Sequence, residues 1–156
     1  MTLPASYPLS MSQIATELGR TLPLSLLDSW VIALAGKSGA PVSFSNLLGK
    51  TGRFDGVRTA AQTGSGGNIV YHVDTAAPFF GGSLSKLNEN LFGTVTLTTT
   101  VAPNWTGNIS VKNNSNGVSG VLAYQGGSPP SWSASIQGAV IPDASSAYSY
   151  TILPSN

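Results

Sequence analysis

Charge is what this chain has least of. Only 8% of its 156 residues are Asp, Glu, Lys or Arg, against a usual share of roughly 25%. Seven basic and six acidic residues nearly cancel, which leaves no field to steer nucleic acid, acidic lipid or a charged substrate. After Asn90 only Lys112 and Asp143 carry charge. Solubility there has to come from Ser, Thr, Asn, Gln and Gly, a surface suited to a protein held in an assembly or working outside a cell. Cysteine is absent, which excludes disulfides, thiol nucleophiles and thiolate metal sites. No apolar run approaches the about 18 residues that a membrane helix needs, so no membrane span is expected. The opening MTLPASYPLS places no basic residue ahead of an apolar run and meets Pro4 early; it does not read as a secretory signal.

Side chains that carry chemistry are equally sparse. The one histidine, His72, sits within IVYHV, a predicted strand, with Asp74 two residues on and on the same face. Nothing near any serine resembles the strained elbow of a hydrolase nucleophile, so the pair reads as a strand histidine beside a turn aspartate. The carboxylates are Glu17, Asp28, Asp55, Asp74, Glu89 and Asp143. A glycosidase needs two of them opposed across a cleft, and only Asp74 and Glu89 lie near each other in the second half. No window gathers enough acids for a calcium loop. TGSGGN, residues 63–68, lacks the lysine of a phosphate loop. No catalytic, cofactor-binding or metal-binding residue is assigned, and no cofactor is expected. The sequons at Asn104, Asn108 and Asn113 matter only in a eukaryotic secretory pathway.

What the chain does have is a phrase written three times near its front. PLSMSQI, PLSLLDS and PVSFSNL start at Pro8, Pro23 and Pro41 and run on to LGR, LAGK and LGK. Ser10 followed by Gln13 has the spacing of a capping box, and Ser25 with Asp28 and Ser43 with Asn46 repeat it. Each N-cap serine is worth roughly 0.5–2 kcal/mol. Gly19, Gly36 and Gly49 are placed to supply the left-handed residue that ends a helix, with Arg20, Lys37 and Lys50 beside the negative end of the dipole. The spacing predicts helices of about nine, eleven and six residues, too short to be stable alone. Their apolar faces hold Ile14, Leu18, Leu26, Leu27, Trp30, Leu34, Phe44 and Leu47, a thin core for roughly 50 residues. Residues 1–52 therefore read as a module that docks on a partner or on the rest of its own chain, with Leu26, Trp30 and Phe44 as the candidate docking face.

Past residue 50 the texture changes. Residues 53–67, running into TGSGGN (63–68), read as a linker. Residues 68–156 hold IVYHV, TVTLTTTV, NISVK, GVSGVLAY, WSASIQGAV and AYSYTIL, short β-rich segments separated by turn signals such as NNSNG and GGSPPS; SKLNENLF reads as one helical turn. The fold class expected is mainly β: an antiparallel β-sandwich or small barrel preceded by three short capped helices. Trp105, in the turn APNWTGN, reads equally as a plug for one end of the sandwich or as a surface for stacking on sugar rings; Trp132, after the diproline of GGSPPSW, reads first as an interior plug, with sugar stacking as the alternative. Uncharged sheet edges are poorly protected against pairing, which points to a homo-oligomer.

The phrases resemble a module of tailed-bacteriophage virion proteins, in which stretches of the type ISLSQL…LG and ISLNDADVRALAGK-SGAISFSDLYGKS recur near the start. The matching residues here are MTLPAS, PLSMSQIATELG (8–19) and LPLSLLDSWVIALAGKSGAPVSFSNLLGKT (22–51), about a third of the chain. Ser29-Trp30 stands where the family commonly has a small residue, and Ile32 replaces its usual arginine, which makes this helix face more apolar. The resemblance implies a non-enzymatic structural protein of the virion, assembled in the host cytoplasm and then extracellular. The expected position is the tail, as a fibre, tip or minor tail protein; capsid decoration or cement is the alternative, and a carbohydrate-binding module a third reading. Partners implied are other virion proteins and a host surface glycan; nucleic acid is not expected.

Overall fold

A computed structural model describes residues 2–156. Its strands are Phe54–Thr59 (β1), Ala61–Thr63 (β2), Val70–Asp74 (β3), Pro78–Phe79 (β4), Gly82–Asn90 (β5), Thr94–Val101 (β6), Asn108–Asn113 (β7), Ser119–Gly127 (β8), Pro130–Ser135 (β9) and Ala147–Ser155 (β10). Period-two alternation decides which side of each strand faces in. Val95, Leu97 and Thr99 of β6, Ile109, Val111 and Asn113 of β7, and Tyr150, Ile152 and Pro154 of β10 are buried, while their neighbours along each strand are more exposed. The strands form one antiparallel sheet in the order β1-β10-β7-β8-β9-β6-β5-β3-β2, with β4 paired to β5.

The sheet curls until its ends nearly meet, so the architecture is a barrel. β1 and β2 are successive halves of one extended segment bent at Ala60. The first half pairs with β10, Phe54 opposite Ile152; the second pairs with β3, Ala61 opposite His72. At the bend the Ala60 N–H donates to the Ser146 carbonyl (2.8 Å) and its carbonyl accepts from the Ser145 N–H (2.7 Å). Arg58 spans the remaining gap, donating to the carbonyls of Asp74 (2.9 Å) and Thr75 (3.2 Å). The expected linker 53–67 is therefore strand, and its TGSGGN is the tight connection between β2 and β3. The unpaired edges that favoured an oligomer are mostly consumed by this closure. SKLNENLF is not a helical turn either. A bulge between Leu84 and Leu87 turns both inward although they stand three apart, and the chain continues as strand to Asn90.

The front of the chain holds two α-helices, Met11–Glu17 (α1) and Ser29–Leu34 (α2), and a 3-10 turn at Phe44–Asn46. Ser10 caps α1 in a reciprocal box: its Oγ accepts from the Gln13 N–H (3.3 Å) and its own N–H donates to Gln13 Oε1 (2.8 Å). Ser25 does not cap α2. It closes a turn instead, accepting from the Leu27 N–H at Oγ (3.1 Å) and the Asp28 N–H at its carbonyl (3.0 Å). Asp28, whose carboxylate accepts from the Trp30 N–H (2.9 Å), is the cap, so the helix starts later and is shorter than expected. Ser43 donates its N–H to Asn46 Oδ1 (3.0 Å) at the third phrase, where only a 3-10 turn forms. Gly19, Gly36 and Gly49 all adopt positive φ (65°, 72° and 68°), and the bonds preceding Pro8, Pro23 and Pro41 are all cis.

These elements share one buried cluster with the barrel, running from Leu3, Ile14, Leu18, Val31 and Leu34 to Phe54, Phe80, Trp105 and Ile152. Among the described residues no helix is long and apolar enough to cross a membrane. Gly82 shows how close the walls come: a Cβ there would stand 2.5 Å from the Val101 carbonyl oxygen and the Pro103 nitrogen. Gly82→Ala is expected to cost about 2–3 kcal/mol, whereas Gly39→Ala, with nothing within 4 Å, is expected to stay within about 0.5 kcal/mol of the parent or gain slightly. Urea denaturation of the two variants checks this.

Candidate functional site

A barrel has two ends, and each is closed by a different part of this chain. At the end where β1 begins and β10 stops, the helical segment sits as a stopper. The Trp30 ring meets Trp105 edge-on at 4.9 Å, and Trp105 lies 5.1 Å from Phe80. Arg20, ion-paired with Asp28 at 3.0 Å, covers the outer side of Trp30 at 4.8 Å. Leu26, Trp30 and Phe44, the expected docking face, are half-buried against the chain's own core. The module's apolar side is thus spent within the chain's own core.

A buried carboxylate fastens this stopper. Glu17, the last residue of α1, is fully buried, and its Oε1 accepts from the N–H groups of Gly52 (2.8 Å) and Arg53 (3.1 Å), where the chain enters β1. Its other oxygen has no hydrogen-bond partner among the described residues. Burial raises the Glu17 carboxyl above the ordinary 4.5, opposed by those two backbone donors and the Arg53 charge. Arg53 itself pairs with Asp55, which also accepts from Thr151 (2.7 Å).

Trp105 and Trp132 are not ligand platforms. Trp132 is fully buried and Trp105 is 6% exposed. Their indole N–H groups donate inward, to the carbonyls of Gly107 and Asn108 respectively, both at 2.8 Å. Trp132 stands on β9 with its ring inside the barrel, and the connection between β6 and β7 turns Trp105 inward. His72 occupies β3 opposite Ala61 and Asn88, and Asp74 lies 3.6 Å from Lys86. Asp74 and Glu89 do not meet: Asp74 is exposed, whereas Glu89, paired with Tyr71 along the same ladder, is buried. Among the described residues no group of three His, Asp or Glu side chains is arranged to hold a metal.

The opposite end is closed by the connection between β9 and β10. Val140 and Ile141 are buried there as a plug. Glu89 accepts from the Ile141 N–H (2.5 Å), and Asn113 donates from Nδ2 to the Val140 carbonyl (2.8 Å) while its Oδ1 accepts from Ser115. Burial raises the Glu89 carboxyl, offset in part by the backbone donors Ile141 and Val140. Beside this plug opens a cleft of about 480 Å³, lined by Tyr71, Glu89, the β5–β6 turn at 90–93, Ile136 and the 138–142 stretch. Asp143 follows Pro142 on its outer side, held below the ordinary aspartate range by hydrogen bonds from Ser146 and Tyr148. Sequence reasoning missed this site. Its one legible signal was Asn90, whose Oδ1 accepts from the N–H groups of Phe92 and Thr94 and so writes a turn where a helix was expected.

No family model, curated protein or solved structure matches the chain.

Because the folded state raises the Glu17 carboxyl, folding favours its protonated form. The stability this contributes is complete below about pH 4.5 and is lost as pH rises through the raised value. Glu17→Gln keeps an acceptor for Gly52 and Arg53 but cannot ionise. Its stability relative to the parent is expected to improve as pH rises from about 4.5 through the raised value and to level off above it, roughly as the burial penalty disappears. Glu17→Ala strands two buried donors and is expected to lose about 2–4 kcal/mol. Chemical denaturation across that pH range reads both; parallel profiles for parent and Glu17→Gln contradict the assignment.

Proposed function

We propose that this chain is a non-enzymatic structural component of a tailed-phage virion, most readily a tail protein of the fibre, tip or minor tail kind. The observation that carries the reading is the run from Leu22 to Thr51, LPLSLLDSWVIALAGKSGAPVSFSNLLGKT, whose motifs and their order resemble those of virion proteins. A nearly closed barrel with few charges is consistent with a part that stays in an assembly rather than diffusing alone.

The structure changes how such a module would dock. With Leu26, Trp30 and Phe44 half-buried against the chain's own core, the large apolar side chains left to a neighbour at the front are Tyr7, Leu22 and Leu27, at 61%, 54% and 69% exposure. Leu22 and Leu27 flank the cis-proline turn of the second phrase, so the repeat supplies an inner face for the barrel and an outer one for the particle.

Quantitative mass spectrometry of purified particles is expected to find the chain at a handful of copies each. Hundreds of copies would move it to the capsid as a decoration protein, and absence would end the virion reading. The double variant Leu22→Ser, Leu27→Ser is expected to fold like the parent and to enter particles at least about tenfold less well, the equivalent of roughly 1.4 kcal/mol of lost docking energy. Unchanged incorporation would contradict the outer face.

A further inference from the structure

We propose that the cleft beside the 138–142 plug is a binding site for a neutral saccharide unit, with Phe92 as its stacking surface. Its volume of about 480 Å³ falls within the range of small-molecule sites.

The walls are fixed before any ligand arrives. The Gly93 carbonyl accepts from the Ile136 N–H (2.9 Å) and joins the two walls at their base. Asn90 holds the turn that carries Phe92, and Asn116 donates to the Ala139 carbonyl (2.9 Å) from behind the other wall. On this braced turn Phe92 is 82% exposed and Leu91 48%. An aromatic ring held in water by a rigid turn contributes nothing to the core, yet here it stands at the rim of a preformed cavity with Tyr71 on its floor.

Charge selects the ligand class. No Lys, Arg or His lines the cleft, so a phosphate or carboxylate ligand would find no counter-charge. Glu89 is the one carboxylate in the lining, but it is 4% exposed and committed to the plug's backbone N–H groups, so it offers little to an incoming ammonium. The remaining polar groups are neutral: the Tyr71 hydroxyl, the Asn90 amide and the backbone of Gly93, Gly138 and Ala139. A pyranose ring matches this set, with a C–H face for the aromatic ring and hydroxyls for the neutral donors and acceptors.

This inference rests on the reading of the chain as a structural component of a virion, yet the two fail separately. A chain that binds saccharide but is missing from particles keeps the site and loses the virion; a chain found in particles that binds no saccharide does the reverse. The test uses the full chain in solution with saturation-transfer NMR against the methyl glycosides of glucose, galactose, mannose and N-acetylglucosamine, with N-acetylneuraminate and n-butylammonium as charged comparisons. Transfer to ring protons of at least one neutral glycoside is expected, about tenfold weaker in Phe92→Ala and unchanged in Val121→Ala, an exposed valine on the barrel wall. Phe92→Ala is expected to keep the parent's melting temperature, since the ring is exposed. No transfer to any neutral glycoside, transfer equal in Phe92→Ala, or transfer to a charged comparison alone would overturn the proposal.

Discussion

The structure depends on a single extended segment serving as both edges of one sheet. Residues 54–63 pair with β10 in their first half and β3 in their second, and the bend at Ala60 makes that possible. Ala60 is buried, and its N–H and carbonyl bond to Ser146 and Ser145 respectively, in the bend just before β10. Free sheet edges are a standing hazard, usually blunted by charge. This chain has almost no charge to spend there, and closure does the same work without it.

Closure creates its own requirement, because a barrel of mostly apolar interior residues has two mouths to keep dry. One is stopped by the helical front, through Trp30, Trp105 and Phe80, and the other by Val140 and Ile141. Each stopper is fastened by a buried carboxylate that accepts backbone N–H groups, Glu17 at one end and Glu89 at the other. Burying a carboxylate is costly, and both carboxyls are raised accordingly. The repeated phrases at the front make sense in this frame: short capped helices, each ended by a left-handed glycine, let the chain fold back on itself within a few residues and lay an apolar face over the mouth.

Local chemistry was readable in the sequence and long-range pairing was not. The Ser10–Gln13 box and the left-handed turns at Gly19, Gly36 and Gly49 depend on residues within one helical turn, so spacing reveals them. The β character of the second half follows from period-two patterns in TVTLTTTV and NISVK. By contrast, β1 holds few large apolar residues, and its register is set by β10 at the far end of the chain, Asp55 opposite Thr151. The bulge in β5 breaks the period-two alternation that would have marked this stretch as strand. Ser25 was the expected cap, but Asp28 offered a stronger acceptor three residues on. Trp105 stood evenly between a sugar platform and an interior plug because its loop is polar, yet that loop turns the indole inward. The cleft escaped notice for a similar reason, since Glu89 and Ile141 come together only when the plug is seated.

Hydrogen exchange at individual amides under native conditions tests the central claim most directly, that barrel and stopper are one cooperative unit. The Gly52 and Arg53 N–H groups held by Glu17, the Ala60 N–H at the bend and the interior amides of β6 should all exchange through the same global opening, with the same free energy. Rapid exchange of Gly52, Arg53 and α1 while β6 stays protected would show the front opening on its own, and would contradict the account.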